Sequence, residues 1–194
     1  MMAGIGNDNG MHLNSRVQLS KNHPLLKLLE PLDTKMINLA KRNINLLPIG
    51  PDNYLWLIIS GWLMGLRGNS EGDMKGTGLN GPGDILGLTG FSGVTKDVPF
   101  YALTDAVILR VSTKDFTKLM EEDPKLSKFM VSYLSERYMM LLEELEKSTL
   151  LPLAERIENF KHQVESIPDI NVPKSVIAFA VGAHPVSVSR LLKK

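Results

Sequence analysis

The chain has 194 residues, 43% of them hydrophobic, with 22 basic and 21 acidic side chains and a formal net charge of +1. That is enough apolar material to build a core in one or two domains, which excludes a disordered chain, and the near-neutral balance confines any nucleic-acid patch to one local region. Cysteine is absent, which removes disulfides, thiolate zinc sites, iron–sulfur clusters and cysteine nucleophiles together and fits a reducing cytoplasm.

Residues 1–20 open with "MMAGIGNDNGMHLNSR", which lacks the charged-then-apolar layout of a signal peptide and is expected to be a flexible leader. No apolar run approaches the ~20 residues that span a bilayer. The longest, "YLWLIISGWLMGL" (54–66), is broken by Ser60 and Gly61. No membrane association is expected, and the cytoplasm is the expected location.

From about residue 36 to 111 the chain reads as β-structure within a domain expected over 21–122. Short apolar runs ("MINLA", "NYLWLIIS", "WLMGLR", "AVILRV") alternate with turn signals ("PIGPDN", "RGNSEGD", "NGPGD", "FSGVTKDVP"). Val107, Leu109 and Val111 alternate with Ala106, Ile108 and Arg110, as a half-buried strand requires. Many short strands with glycine turns suggest a sandwich, barrel or roll.

The texture then changes. Ser112 and Asp115 cap a short helix. Asp123 caps a second, with Pro124 as its first residue. No breaker follows until about Ser148, so the stretch 123–148 holds a rod of about 25 positions from Pro124, roughly 37 Å long. Leu126, Met130, Leu134, Tyr138, Leu141 and Leu145 recur every three or four positions as one apolar stripe. On a helix longer than its own domain the stripe suggests pairing with a second copy, a homodimer. A core helix packing on its own domain is the alternative.

Residues 149–194 are helical again. Pro152 opens a helix with Ile157, Phe160 and Val164 on one face. From Lys174, a twenty-residue helix-turn-helix frame puts Ile177, Val181, Ala183, Val188 and Leu191 where the two helices face each other. It puts the small Ala178 at their crossing, Gly182 in the turn and Pro185 at the start of the second helix. Val186, Ser189, Arg190 and Lys193 then point outward. Residues 172–194 carry Lys174, Arg190, Lys193 and Lys194 and no acid. The chemistry suits a recognition helix in the major groove of double-stranded DNA. Arg190 is placed to bond guanine and Val186 to touch a thymine methyl, with Ser187, Ser189, Lys174 and the terminal lysines on phosphates.

A β-roll, a long helix and a C-terminal helix-turn-helix, in that order, resemble the Crp/Fnr family of bacterial transcription regulators. The likeness is carried by "IGPDNYLWLIISGWLMGL", "LNGPGDILGLTGF", "AVILRVSTKDFTKLMEEDPKL" and "VIAFAVGAHPVSVSRLLKK". It implies an α+β chain: an N-terminal double-stranded β-helix (a jelly-roll-like β-roll) that senses an effector, a dimerisation helix and a DNA-binding helix-turn-helix. It further implies a homodimer on a near-palindromic site, with RNA polymerase a candidate partner and no enzymatic activity. By position, Pro185, Val186 and Arg190 take the base-facing places, and Lys174, His184 and Ser187 the phosphate-facing ones.

The chain departs from that pattern in instructive ways. Leu88 follows Gly87 where cyclic-nucleotide sensors of the family carry glutamate, and Val98-Pro99 stand where they carry Arg-Ser. Leu141 and Leu142 replace the hydroxyl residues that meet the purine, so cyclic AMP is not expected. Haem is not expected either, because His12, His23, His162 and His184 fall outside the roll and the long helix. An apolar or aromatic effector is expected instead, against Gly87, Leu88, Thr89, Gly90, Phe91, Tyr101 and Leu141. The sequence stops at Lys194, so the family's β-wing is expected to be missing, by truncation or by design, along with its phosphate contacts. The alternative functions are a sensor dimer whose helix-turn-helix engages a protein, and a metal-dependent cupin-type enzyme. The second would need histidine pairs that the β-region lacks.

Overall fold

The run Tyr54–Ser60 carries no charged residue and only its two ends are polar, and the structure gives the reason. In the computed structural model, which describes residues 18–20, 23–68, 74–165, 167 and 170–193, this strand is buried on both faces. Leu55, Leu57 and Ile59 point to one side and Trp56 and Ile58 to the other, each set entering a different core. An uninterrupted apolar run is what two covered faces demand of a strand.

Among the described residues, eight strands make the roll: β1 (Thr34–Leu39), β2 (Ile44–Ile49), β3 (Tyr54–Ser60), β4 (Leu63–Gly68), β5 (Met74–Asn80), β6 (Ile85–Leu86), β7 (Lys96–Ala102) and β8 (Ala106–Ser112). They form two four-stranded antiparallel sheets, ordered β1-β8-β3-β6 and β2-β7-β4-β5. The facing sides of the sheets enclose Leu47, Ile49, Trp56, Ile58, Leu63, Leu86, Val98, Phe100 and Ile108.

Each outer face carries helices. On the β3–β8 sheet sit α1 (Pro24–Leu29), α2 (Thr113–Glu122) and the first half of α3 (Pro124–Leu150), packed through Leu25, Leu29, Phe116, Leu126, Met130 and Tyr133. Against the β4–β5 sheet, Trp62, Met64, Leu66 and Leu103 meet α4 (Leu153–Glu165), α5 (Lys174–Ala180) and α6 (Pro185–Leu191). Three apolar layers thus bind the roll to both helical groups. No helix among the described residues is long and apolar enough to cross a membrane.

The helix starts follow local chemistry. Ser112 Oγ accepts from Asp115 N–H at 3.3 Å, and Asp123 Oδ1 accepts from Lys125 N–H at 2.8 Å. The 27 residues of α3 measure ~40 Å, and the residues it buries, Leu126, Met130 and Tyr133, all lie in its first half.

Three expectations are corrected by the structure. Within the expected flexible leader, Gln18 bridges Ser60, and Leu19 is buried with its N–H on Ile59 O at 2.7 Å. The rest of the leader lies outside the described residues, as do residues 69–73 of the turn "RGNSEGD" and Lys194. Helix α1 and strand β5 had no periodic signal of sufficient length, and the end of the expected turn "FSGVTKDVP" is the beginning of β7. The apolar stripe of α3 is two stripes. Leu126 (0% exposed) and Met130 (1%) are core residues of their own chain and cannot serve a dimer face. Leu134, Tyr138, Leu141 and Leu145, joined by Val131 and Leu142, remain exposed.

Candidate nucleic-acid interface and sensor region

Helices α5 and α6 pack through Val176, Ile177 and Ala178 against Val188, with Val181 in the turn. Ala178 and Val188 are wholly buried, which is the close crossing the small residue permits. The turn needs a left-handed residue, and Gly182 supplies it at φ 61°. There Ala183 N–H bonds Ala178 O at 3.0 Å, and Arg156 of α4 donates Nη1 to Val181 O at 3.0 Å. Pro185 starts α6, and His184 Nδ1 caps it by accepting from Val186 N–H at 3.3 Å.

The residues expected to meet DNA form the open side of this unit. Lys174, His184, Pro185, Val186, Ser187, Arg190 and Lys193 are exposed, Val186 by 51%, and Ser189 is half-buried. Among the described residues, none of Lys174, Arg190 and Lys193 is drawn into an ion pair. One interior assignment changes: Leu191 is exposed, and Leu192 packs in its place. Leu192 lies four residues after Val188, on the same helical face.

The unit is seated on the roll. At Gly76 of β5 an added Cβ would lie 3.1 Å from Ala180 Cα and 2.5 Å from Met64 Sδ, so a glycine lets the backbone of α5 approach the sheet.

The expected effector residues are only partly brought together. Gly87 through Phe91 do share one segment, a short 3-10 helix at Leu88–Ser92. Gly87 and Gly90 press against Ile49, Gly50 and Tyr54. Leu88 faces the outer core, and the Phe91 ring lies 5.9 Å from that of Phe116. Tyr101 is elsewhere. On β7, Val98, Phe100 and Ala102 point inward, so Tyr101 points outward, toward the helix-turn-helix. Leu141 is also elsewhere, 64% exposed on the part of α3 beyond the roll.

In the core between the sheets Trp56 links the two layers, donating Nε1–H to Pro48 O on the opposite sheet at 3.1 Å, with Tyr54 edge-on at 5.6 Å. Arg110, the register partner of Trp56, lays its guanidinium 4.4 Å from the Tyr54 ring. Neither residue stands out in the sequence, because their meeting depends on register between β3 and β8.

A buried polar cluster joins the roll to α3, and it too has no local signature. Arg137 donates to Asp84 Oδ1 and Asn80 Oδ1, both at 3.2 Å; Asp84 Oδ2 accepts Gly81 N–H at 2.8 Å; and Tyr133 OH accepts Ile85 N–H at 2.8 Å. Burial pushes the Asp84 carboxyl above its usual range, against the pull of Arg137 and the Gly81 N–H. Burial, reinforced by the Asp84 charge, also raises the Tyr133 phenol. The fold therefore favours the neutral phenol. Its contribution to stability is whole at neutral pH and is lost as pH climbs past the ordinary tyrosine value of about 10. Ultraviolet titration is expected to show a late phenolate component that coincides with unfolding and is absent from Tyr133→Phe.

Among solved structures, the chain matches the c-di-GMP responsive global regulator CLP of Xanthomonas campestris with a TM-score of 0.72 at 18% identity, covering 87% of this chain and 88% of that one. The fold is that of the Crp/Fnr regulators. FixK2 from Bradyrhizobium japonicum matches at TM-score 0.68 and 17% identity, over 84% of each chain. A Crp/Fnr-family transcriptional regulator from Thermus thermophilus matches at 0.68 and 18%, over 82% of this chain and 84% of that one. No protein-family model and no curated protein matches the sequence. Within the Crp/Fnr fold, Val98 and Pro99 lie on β7, Val98 in the inner core and Pro99 half-buried, and bring no cation to the roll.

Proposed function

We propose that the chain is a homodimeric, cytoplasmic transcription regulator that reads a near-palindromic DNA site and responds to a small-molecule effector. The observation that carries the reading is the open face of the helix-turn-helix. It exposes Lys174, Val186, Arg190 and Lys193 on a stretch, 172–194, whose sequence has no acid, while Val188 holds α6 to α5 from behind. The descriptions of CLP and of the Thermus protein as regulators support the same reading. So does the exposed seam on α3, which suits a second copy.

The effector acts through Gly87–Phe91. This segment touches Ile49, Gly50 and Tyr54 on one side and Phe116 at the foot of α2 on the other. A molecule wedged there displaces α2 and, through it, α3. The bulk of Trp56, whose register partner Leu86 directly precedes the segment, favours a flat apolar or aromatic molecule over a nucleotide inserted between the sheets. RNA polymerase is the further partner such a regulator would meet.

Fluorescence anisotropy with duplex DNA at two salt concentrations tests the DNA claim. Binding is expected to fall steeply with salt, as counterion release requires. Arg190→Ala is expected to cost about 1–3 kcal/mol of sequence discrimination, and Lys193→Ala to reduce the salt slope by about one without changing discrimination. Salt-independent binding, or none, would point to a protein partner for α6 instead.

A further inference from the structure

We propose that the tip of α6 reads the C5 methyl group of a pyrimidine rather than its hydrogen-bonding edge, so that 5-methylcytosine can stand in for thymine and the half-site responds to cytosine methylation. The inference rests on the DNA reading above and names the chemistry of that same site. At about 100° per residue, Val186 and Arg190 form the ridge of α6 opposite Val188, which is buried against α5. Ser187 and Ser189 stand on the two flanks. Val186 leads the ridge and is 51% exposed, and the leading residues of a recognition helix are those that reach base edges.

The tip is silent in hydrogen bonding. Neither Val186 nor the exposed Pro185 carries a polar side chain. The backbone offers no donor in their place. Pro185 has no N–H, the Val186 N–H is held by His184 Nδ1 at 3.3 Å, and the N–H groups of Ser187 and Val188 both bond His184 O, at 3.0 and 3.3 Å. Base edges in the major groove differ in their donors, their acceptors and one apolar group, the C5 methyl of thymine. A tip with no free donor and no side-chain acceptor distinguishes base pairs by that methyl alone. Cytosine methylated at C5 presents the same group in the same place, with its amine left to water.

Arg190 supplies the hydrogen-bonded half of the reading. Its side chain is exposed and in no ion pair among the described residues, which leaves its fork for guanine N7 and O6. It follows Val186 by four residues, ~6 Å along the helix axis, or about two base-pair steps. The half-site therefore joins one guanine to one C5-methylated pyrimidine a short distance away. Exchanging cytosine for 5-methylcytosine at that place changes affinity without changing base pairing, which couples the regulator to a covalent state of its own site.

The test uses the full chain and duplexes that it selects from a random-sequence pool, with binding read by fluorescence anisotropy. Thymine is replaced by deoxyuridine, which lacks only the methyl, at each position in turn. At one place in each half-site the exchange is expected to weaken binding about fourfold, the worth of one buried methyl, and about fifteenfold when both half-sites carry it. Cytosine at that place is expected to bind weakly, and 5-methylcytosine to regain the methyl's share. Val186→Ser is expected to bind thymine and deoxyuridine duplexes equally. Val186 is exposed and packs in no core, so the melting temperature of the variant is expected to match the parent and serves as the folding control. Equal binding of thymine and deoxyuridine by the parent at every position overturns the methyl reading and leaves the DNA reading standing. Methyl discrimination that survives in Val186→Ser overturns it too, by assigning the methyl to another residue. Selection of no duplex at all overturns both readings together.

Discussion

Replacing Arg137 by leucine is expected to lower the stability of the chain by about 3 kcal/mol, read from urea unfolding. The guanidinium holds Asp84 and Asn80 at once, and the Asp84 side chain is only 13% exposed. Removing one partner of such a pair leaves a charge where water cannot solvate it, which costs more than the pair itself contributes. The loss is at the lower end of the range for buried pairs, because Arg137 is partly exposed and Asp84 keeps its bond from Gly81 N–H. The double variant Arg137→Leu with Asp84→Asn is expected to recover about half of the loss, since the stranded charge is gone. Equal costs for single and double variants would mean that the cluster contributes through packing alone. The same cluster anchors the chain two residues before Gly87 to α3, so Arg137→Leu is also expected to weaken any effect of an effector on DNA affinity.

The second large effect concerns assembly. Leu141→Lys with Leu145→Lys is expected to convert the proposed dimer into a monomer by sedimentation, with little change in the stability of the monomer. Both side chains are more than 60% exposed within one chain, so nothing in the protomer core depends on them. In a paired helix they would be buried, and lysines facing lysines across the seam repel. DNA affinity is expected to fall by about 10²–10⁴, because two recognition helices no longer bind as one linked unit. Leu126→Ala provides the contrast. It removes a fully buried side chain and is expected to cost about 2–5 kcal/mol of stability while leaving the seam intact. A double-lysine variant that stayed dimeric would place the interface elsewhere.

Leu126 and Leu141 also show where sequence reading stops. Both sit on a repeat of three and four residues in one helix, and nothing local distinguishes them. They differ because the roll reaches only the first half of α3: Leu126 meets it and Leu141 does not. Tyr101 fails as an effector residue for a similar reason. Period-two alternation in β7 puts it on the opposite face from Phe100, but which face is inside depends on the partner strands. The helix-turn-helix was legible almost residue by residue. Its requirements are short-range: a small residue at the crossing, a left-handed glycine in the turn, a proline at the second helix start and apolar residues four apart.

The local grammar is therefore written in the order of residues. The caps at Ser112 and Asp123, the turn at Gly182, the length of α3, the alternation in β8 and the acid-free basic end all follow from chemistry within a few residues. Long-range packing settled the rest: what fills the roll, which half of α3 stays open, and which distant groups meet. Trp56 reaches Pro48 across two sheets, Arg137 finds Asp84 53 positions away, and Arg156 of α4 reaches the turn at Val181. Those meetings depend on register and on how remote surfaces pack, and no local pattern of side chains encodes either.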